Sequence, residues 1–177
     1  MKKKLLTLAT CACMATSAFA NQDGNPFMTE YTTQFNIPPF DQIKTEHYLP
    51  ALKAGIDEQN KEIEAIINNP EAPTFENTIL ALDNSGQTLN KVAYVFFAFT
   101  EALSSPELQK VDEEFTPLLT KHSDEISMND KLFARIKKVY DDRANHNYNT
   151  AQLRLIESNY KSFTRNGALL DAEKKEQ

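Results

Sequence analysis

Asn69-Pro70-Glu71-Ala72-Pro73-Thr74-Phe75-Glu76-Asn77-Thr78 reads as a joint between two helices, and its punctuation sets the fold around it. Asn69 stands before a proline, and the ring of Pro70 bars the helical region to the residue that precedes it. One helix therefore ends here. Pro73 keeps the linker extended, and Thr74 offers a hydroxyl to the free amides of the next helix. Glu76 places a carboxylate at that helix's positive start.

Upstream of the joint, over 46–68, Tyr48, Leu52, Ile56, Ile63 and Ile67 recur at helical spacing. Pro50 falls near the first turn, where a missing N–H costs least. Downstream, from Phe75 to about Leu103, the residues Phe75, Ile79, Leu82, Gly86, Leu89, Ala93 and Phe96 step by fours and threes. The pattern predicts one long helix. Gly86 lies on its stripe, where the absent side chain predicts close approach of another helix.

Further on, Ser104 and Glu107 have capping-box spacing, with Ser105 before Pro106 as an alternative cap. The helix that follows carries Leu108, Val111, Phe115, Leu118, His122 and Ile126 on one stripe, with a bend expected at Pro117. A fourth helix over 130–143 presents Leu132, Phe133, Ile136 and Tyr140. After the polar loop 145–149, Thr150 is expected to cap a fifth helix whose face is Leu153, Ile156, Tyr160 and Phe163. Asn166-Gly167 reads as its left-handed C-cap. The fold class is all-α, a multi-helix antiparallel bundle.

The ends read differently. Met1-Lys2-Lys3-Lys4, an apolar run over 5–15 and Ala18-Phe19-Ala20 form a secretory signal, residues 1–20, with cleavage expected after Ala20. The run is too short for a spanning helix. Both cysteines, Cys11 and Cys13, lie in this signal, so disulfides are not expected in the mature part. Acylation of Cys11 is the weaker reading, because Thr10 is a poor fit before a lipidated cysteine. Export, with a periplasmic location, follows. Residues 21–45 are broken by Asp23-Gly24-Asn25-Pro26 and Pro38-Pro39, and Phe27, Phe35, Ile37, Phe40 and Ile43 would make this stretch an apolar strap across the helices, with a free tail as the alternative. Residues 46–170 form the helical region, and 171–177 begin a charged helix that stops before any apolar face, which reads as a truncated chain.

Without the signal the chain has 16 basic and 25 acidic residues, a net charge of −9. That acidity argues against nucleic acid and against an anionic membrane as partners.

Few residues suggest chemistry. His122 with Ser123, Asp124 and Glu125 looks like a cluster, but adjacent helical residues point in different directions and His122 lies on the apolar stripe, so a structural histidine is expected. Glu46-His47 reads as a cap or packing pair. Asp112, Glu113 and Glu114 read as a solvated face. Phe96, Phe97 and Phe99 read as core before channel lining. No residue is assigned as catalytic, cofactor-binding or metal-ligating.

The joint also carries a resemblance. Pro70 to Thr78 resembles the N-terminal signature of the thimet-oligopeptidase-like zinc peptidases, in particular the bacterial peptidyl-dipeptidase and oligopeptidase A branch. Pro39-Phe40-Asp41-Gln42-Ile43-Lys44 with Glu46-His47-Tyr48-Leu49-Pro50-Ala51, Leu132-Phe133-Ala134-Arg135-Ile136-Lys137, and Tyr160 to Ala168 are similar to further family segments in the same order. The resemblance implies the N-terminal helical part of a larger α-helical peptidase. It also implies zinc in the complete enzyme, held by a His-Glu-x-x-His helix and a further Glu, with short peptides as substrates and C-terminal dipeptides as products. None of His47, His122 and His146 is followed by Glu-x-x-His. The zinc ligands and the catalytic half are thus expected elsewhere, with this part forming a wall of the substrate channel and inactive alone. The alternatives are a stand-alone helical module binding peptide or protein, and a remnant without function.

Overall fold

The computed structural model describes residues 24–103 and 105–169. The signal and its cleavage site, Asn21 to Asp23, Ser104 and the segment 171–177 lie outside these. Within them the chain is an all-α bundle, without strands among the described residues.

Helix α1, Thr45–Ile67, begins where the His47 ring Nδ1 accepts the Lys44 N–H at 3.0 Å, so Glu46-His47 is indeed a cap. It runs unbroken through Pro50 and ends with the Asn68 amide on Glu64 O at 2.9 Å. At the joint, Thr74 Oγ1 accepts the Asn77 N–H at 3.1 Å while Asn77 Oδ1 accepts the Thr74 N–H at 2.8 Å. The expected cap is there, and its reciprocal partner is an asparagine where the usual capping box has Glu or Gln.

The helix after the joint is not the single long element the stripe predicts. It opens as a π-turn, Phe75–Leu80, passes through a short α2, Ala81–Asp83, and breaks at 84–86 before α3, Gln87–Ala102. Gly86 has φ 70°, a left-handed conformation that stops a right-handed helix and suits glycine. Side chains of α1 satisfy the break: the Gly86 N–H donates to Glu62 Oε2 at 2.7 Å and the Gln59 amide donates to Ser85 Oγ at 3.2 Å. The glycine against which another helix backbone closes is Gly55, where a Cβ would come within 2.8 Å of Leu89 N and Cα.

Helix α4, Pro106–Ser127, is capped by Ser105, whose Oγ accepts the Leu108 N–H at 3.2 Å. It continues through Pro117. Helix α5, Asp130–Asp142, is capped by Asn129 and followed by a 3-10 turn, Arg143–Asn145. Helix α6, Thr150–Arg165, is capped by Asn149 in a reciprocal pair with Gln152 at 3.0 Å, so Thr150 is the first helical residue and not the cap. An asparagine placed one residue earlier outcompetes the hydroxyl because its carbonyl reaches the third amide. The α6 end is as the sequence predicts: Gly167 has φ 91°, its amide reaches Thr164 O at 3.3 Å and the Ala168 amide reaches Phe163 O at 3.0 Å, a Schellman pair.

Two hydrophobic cores result. One gathers Phe27, Tyr48, Leu52, Leu89, Phe96 and Phe115 between the strap, the first half of α1, α3 and α4. The other gathers Ile63, Ile66, Phe75, Ile79, Ile136 and Phe163 between the end of α1, the π-turn, α5 and α6. The strap joins the first core only in part. Phe27 is fully buried against Tyr48, with ring centroids 5.3 Å apart, and Phe40 touches Phe99 at 5.4 Å. Phe35, at φ 60°, is instead 84% exposed.

Candidate functional site

The residues that looked chemical in sequence are held apart. His122 is buried on α4 while Ser123, Asp124 and Glu125 are exposed, so the four do not converge. His47 is occupied at the α1 cap. His146 is exposed and its ring lies against Tyr148 at 5.1 Å. Glu114 pairs with Lys53 at 2.6 Å and Asp112 accepts the Thr116 hydroxyl at 2.6 Å, both on the surface. Phe96 packs in the core, stacked on Phe115 at 4.1 Å, while Phe97 lies at its edge, partly exposed. Among the described residues no three of His, Cys, Asp and Glu come together as a metal-binding group. The donor set among the described residues does not fit zinc.

Three polar arrangements among the described residues join separate elements. Under the strap, a cavity of about 410 Å³ is walled by Glu30, Glu58, Lys61 and Lys91. The Lys91 ammonium donates to Thr29 O at 3.1 Å and stands 4.7 Å from the centre of the Tyr31 ring. Burial pushes its pKa down, and Glu58 and Glu30 partly offset this. The lysine fastens strap to α3, so the cavity is part of an anchored structure.

At the joint, Arg135 of α5 donates to Asn69 O at 3.1 Å, Glu71 O at 3.3 Å and Asn77 Oδ1 at 3.1 Å. One guanidinium spans the linker between α1 and the π-turn.

Between the two cores, Gln59, Ser85 and His122 are joined by hydrogen bonds. Only His122 was singled out in sequence. Gln59 carried a usable signal, since it sits three residues after Ile56 and four before Ile63 on an otherwise apolar stripe, as His122 does on α4.

No protein-family model matches the chain. Over 146 residues it is 41% identical to the dipeptidyl carboxypeptidase of Escherichia coli (strain K12), covering 82% of this chain and 21% of that protein. It is likewise 41% identical over 151 residues to the dipeptidyl carboxypeptidase of Salmonella typhimurium, covering 85% and 22% of the two chains. Against oligopeptidase A of Salmonella typhimurium the identity is 25% over 152 residues, covering 86% and 22%. The chain thus spans about a fifth of the length of these curated relatives.

Proposed function

Because this chain is homologous to the dipeptidyl carboxypeptidases and oligopeptidases A of the thimet-oligopeptidase family, we propose that it is the N-terminal helical part of an exported zinc peptidase that releases C-terminal dipeptides from short peptides. The observation that carries this reading is the 41% identity to proteins named dipeptidyl carboxypeptidase, against 25% to one named oligopeptidase A. In the whole protein, zinc and its ligands come from the catalytic region outside this chain, and the metal supplies a Lewis acid and an activated water.

The part played by this chain, once its signal is removed, is architectural. Two packed cores, a linker pinned by Arg135 and a strap anchored by Phe27 and Lys91 make a wall of defined shape for a channel that admits only short peptides. The basic n-region and Ala18-Phe19-Ala20 send the product to the periplasm, with the mature chain starting at Asn21.

The test compares the 177-residue product with the same chain joined to the catalytic region, for zinc content and for cleavage of a blocked short peptide. Zinc and dipeptide release in the long form alone support the proposal. Activity of the short form overturns the architectural role. Absence of activity from both favours a peptide- or protein-binding module.

A further inference from the structure

Three segments of the chain pass from one hydrophobic core to the other, and each crosses at a polar residue. In α1, Ile56 packs on the first core and Ile63 belongs to the second, with Gln59 between them. After the joint, Leu82 packs on the second core and Leu89 belongs to the first, with Ser85 and Gly86 between. In α4, Leu118 and Leu119 pack on the first and Ile126 on the second, with His122 between.

These crossing points are bonded to one another in a fixed direction. The Ser85 hydroxyl donates to Leu82 O at 2.8 Å, so its oxygen is left to accept from Gln59 Nε2 at 3.2 Å. That turns Gln59 Oε1 toward His122 Nε2, 2.8 Å away, and an amide oxygen only accepts. His122 Nε2 therefore carries the proton. Its Nδ1 is left as a bare lone pair, buried without a partner in a residue 3% exposed.

We propose that this polar seam is a proton-operated hinge, in which uptake of a proton at His122 Nδ1 frees the 84–86 turn and the end of α4 from α1. In the closed seam a new N–H at Nδ1 meets no protein acceptor in a residue 3% exposed, a combination the interior penalises. In an opened seam water solvates both. Acid therefore favours the open form by linkage. Gly86, already left-handed at φ 70°, is placed to absorb the rotation.

Burial lowers the pKa of His122 and the charge of Glu125 opposes that shift. Glu125 is itself 3.7 Å from the Lys121 ammonium. On α1, the Glu62 carboxylate is engaged by the Gly86 amide, and the crossing turn carries one charge, Asp83. None of these supplies an acceptor to Nδ1.

Amide hydrogen exchange on the 177-residue chain, corrected for intrinsic rates, tests this between about pH 7.5 and pH 5. The amides of Ser85, Gly86 and Asn90 and of α4 beyond Leu118 are expected to lose protection, on the order of tenfold per pH unit below the ordinary histidine value. Amides at Leu52 and Ile136, within the cores, keep theirs. His122→Gln retains a donor for Gln59 and cannot titrate, so its seam protection is expected to be independent of pH. An unchanged seam in the native chain, or an equal loss in His122→Gln, overturns the proposal. If that variant does not fold, the His122 imidazole is titrated by NMR in the native chain, with His47 and His146 as internal references. A His122 midpoint below the ordinary histidine value of about 6.5, with seam protection falling from that value downward, supports the hinge, and a His122 midpoint at or above it overturns it.

Discussion

Arg135 Nη2 donates to Asn77 Oδ1 at 3.1 Å, linking residues 58 positions apart in the chain. The same oxygen accepts the Thr74 N–H and the Thr78 hydroxyl, and Asn77 Nδ2 donates to Ala72 O at 3.0 Å. Asn77 thus makes the cap and the linker one unit, and Arg135 ties that unit to α5. The stretch that punctuates the sequence is also the place where the second core is fastened.

Replacing Arg135 with Met leaves two backbone carbonyls and the Asn77 oxygen short of a donor. A loss of about 1–3 kcal/mol is expected, read as a lower urea midpoint with unchanged slope. Asn77→Ala removes the other end, and the double variant should fall short of the summed losses by about 1 kcal/mol. Full additivity would show that the contact does not couple cap and helix.

How much of this was legible depended on the range of the interaction. The Thr74 cap and the Asn166-Gly167 ending were readable because cap and capped amide lie within a few residues. The apolar stripe from Phe75 to Phe96 was equally visible, but it conceals the break at 84–86. Both pieces turn an apolar face to the body, Phe75 and Ile79 into one core and Leu89 and Phe96 into the other, so the periodicity survives the interruption. Periodicity records which side is buried and not against what. Glu62 and Arg135 act 24 to 66 residues away from their partners and no local pattern announces them, while Gln59 shows as a polar interruption of its stripe without showing its partner Ser85.

Gly55 gives a prediction that runs against helix propensity. Gly→Ala inside a helix ordinarily stabilises by about 1 kcal/mol. Here the new Cβ would lie 2.8 Å from the Leu89 backbone, which cannot move aside as a side chain could. Gly55→Ala is expected to destabilise by about 1–3 kcal/mol, seen as a lower melting temperature. A higher one would mean that α1 and α3 separate freely.

Tyr48 should make the first core sensitive to alkali. Burial, and secondarily the neighbouring Tyr31 phenol, push its pKa up to about 12. The folded chain therefore holds the phenol proton after the unfolded chain has released it. Stability is complete below the ordinary tyrosine value of about 10 and falls as pH rises from there toward 12, by an amount of order 2 kcal/mol. Denaturant titrations across this range should show the decline in the native chain and a much flatter profile in Tyr48→Phe.

The strap separates two phenylalanines that look alike in sequence. Phe27 is fully buried, its ring beside Tyr48, and the Asn25 side chain that accepts its amide also donates to His47 O at 2.9 Å. Phe27→Ala would open a cavity next to a large aromatic ring, and about 3–5 kcal/mol should be lost. Phe35, 84% exposed, contributes no such burial, so Phe35→Ala should change stability by no more than about 0.5 kcal/mol. Limited proteolysis gives a second readout, because loss of the Phe27 anchor should speed cleavage within residues 24–44 while Phe35→Ala leaves the rate unchanged. Equal effects of the two substitutions would mean that the strap is held by its backbone and by Lys91, whose ammonium reaches Thr29 O at 3.1 Å.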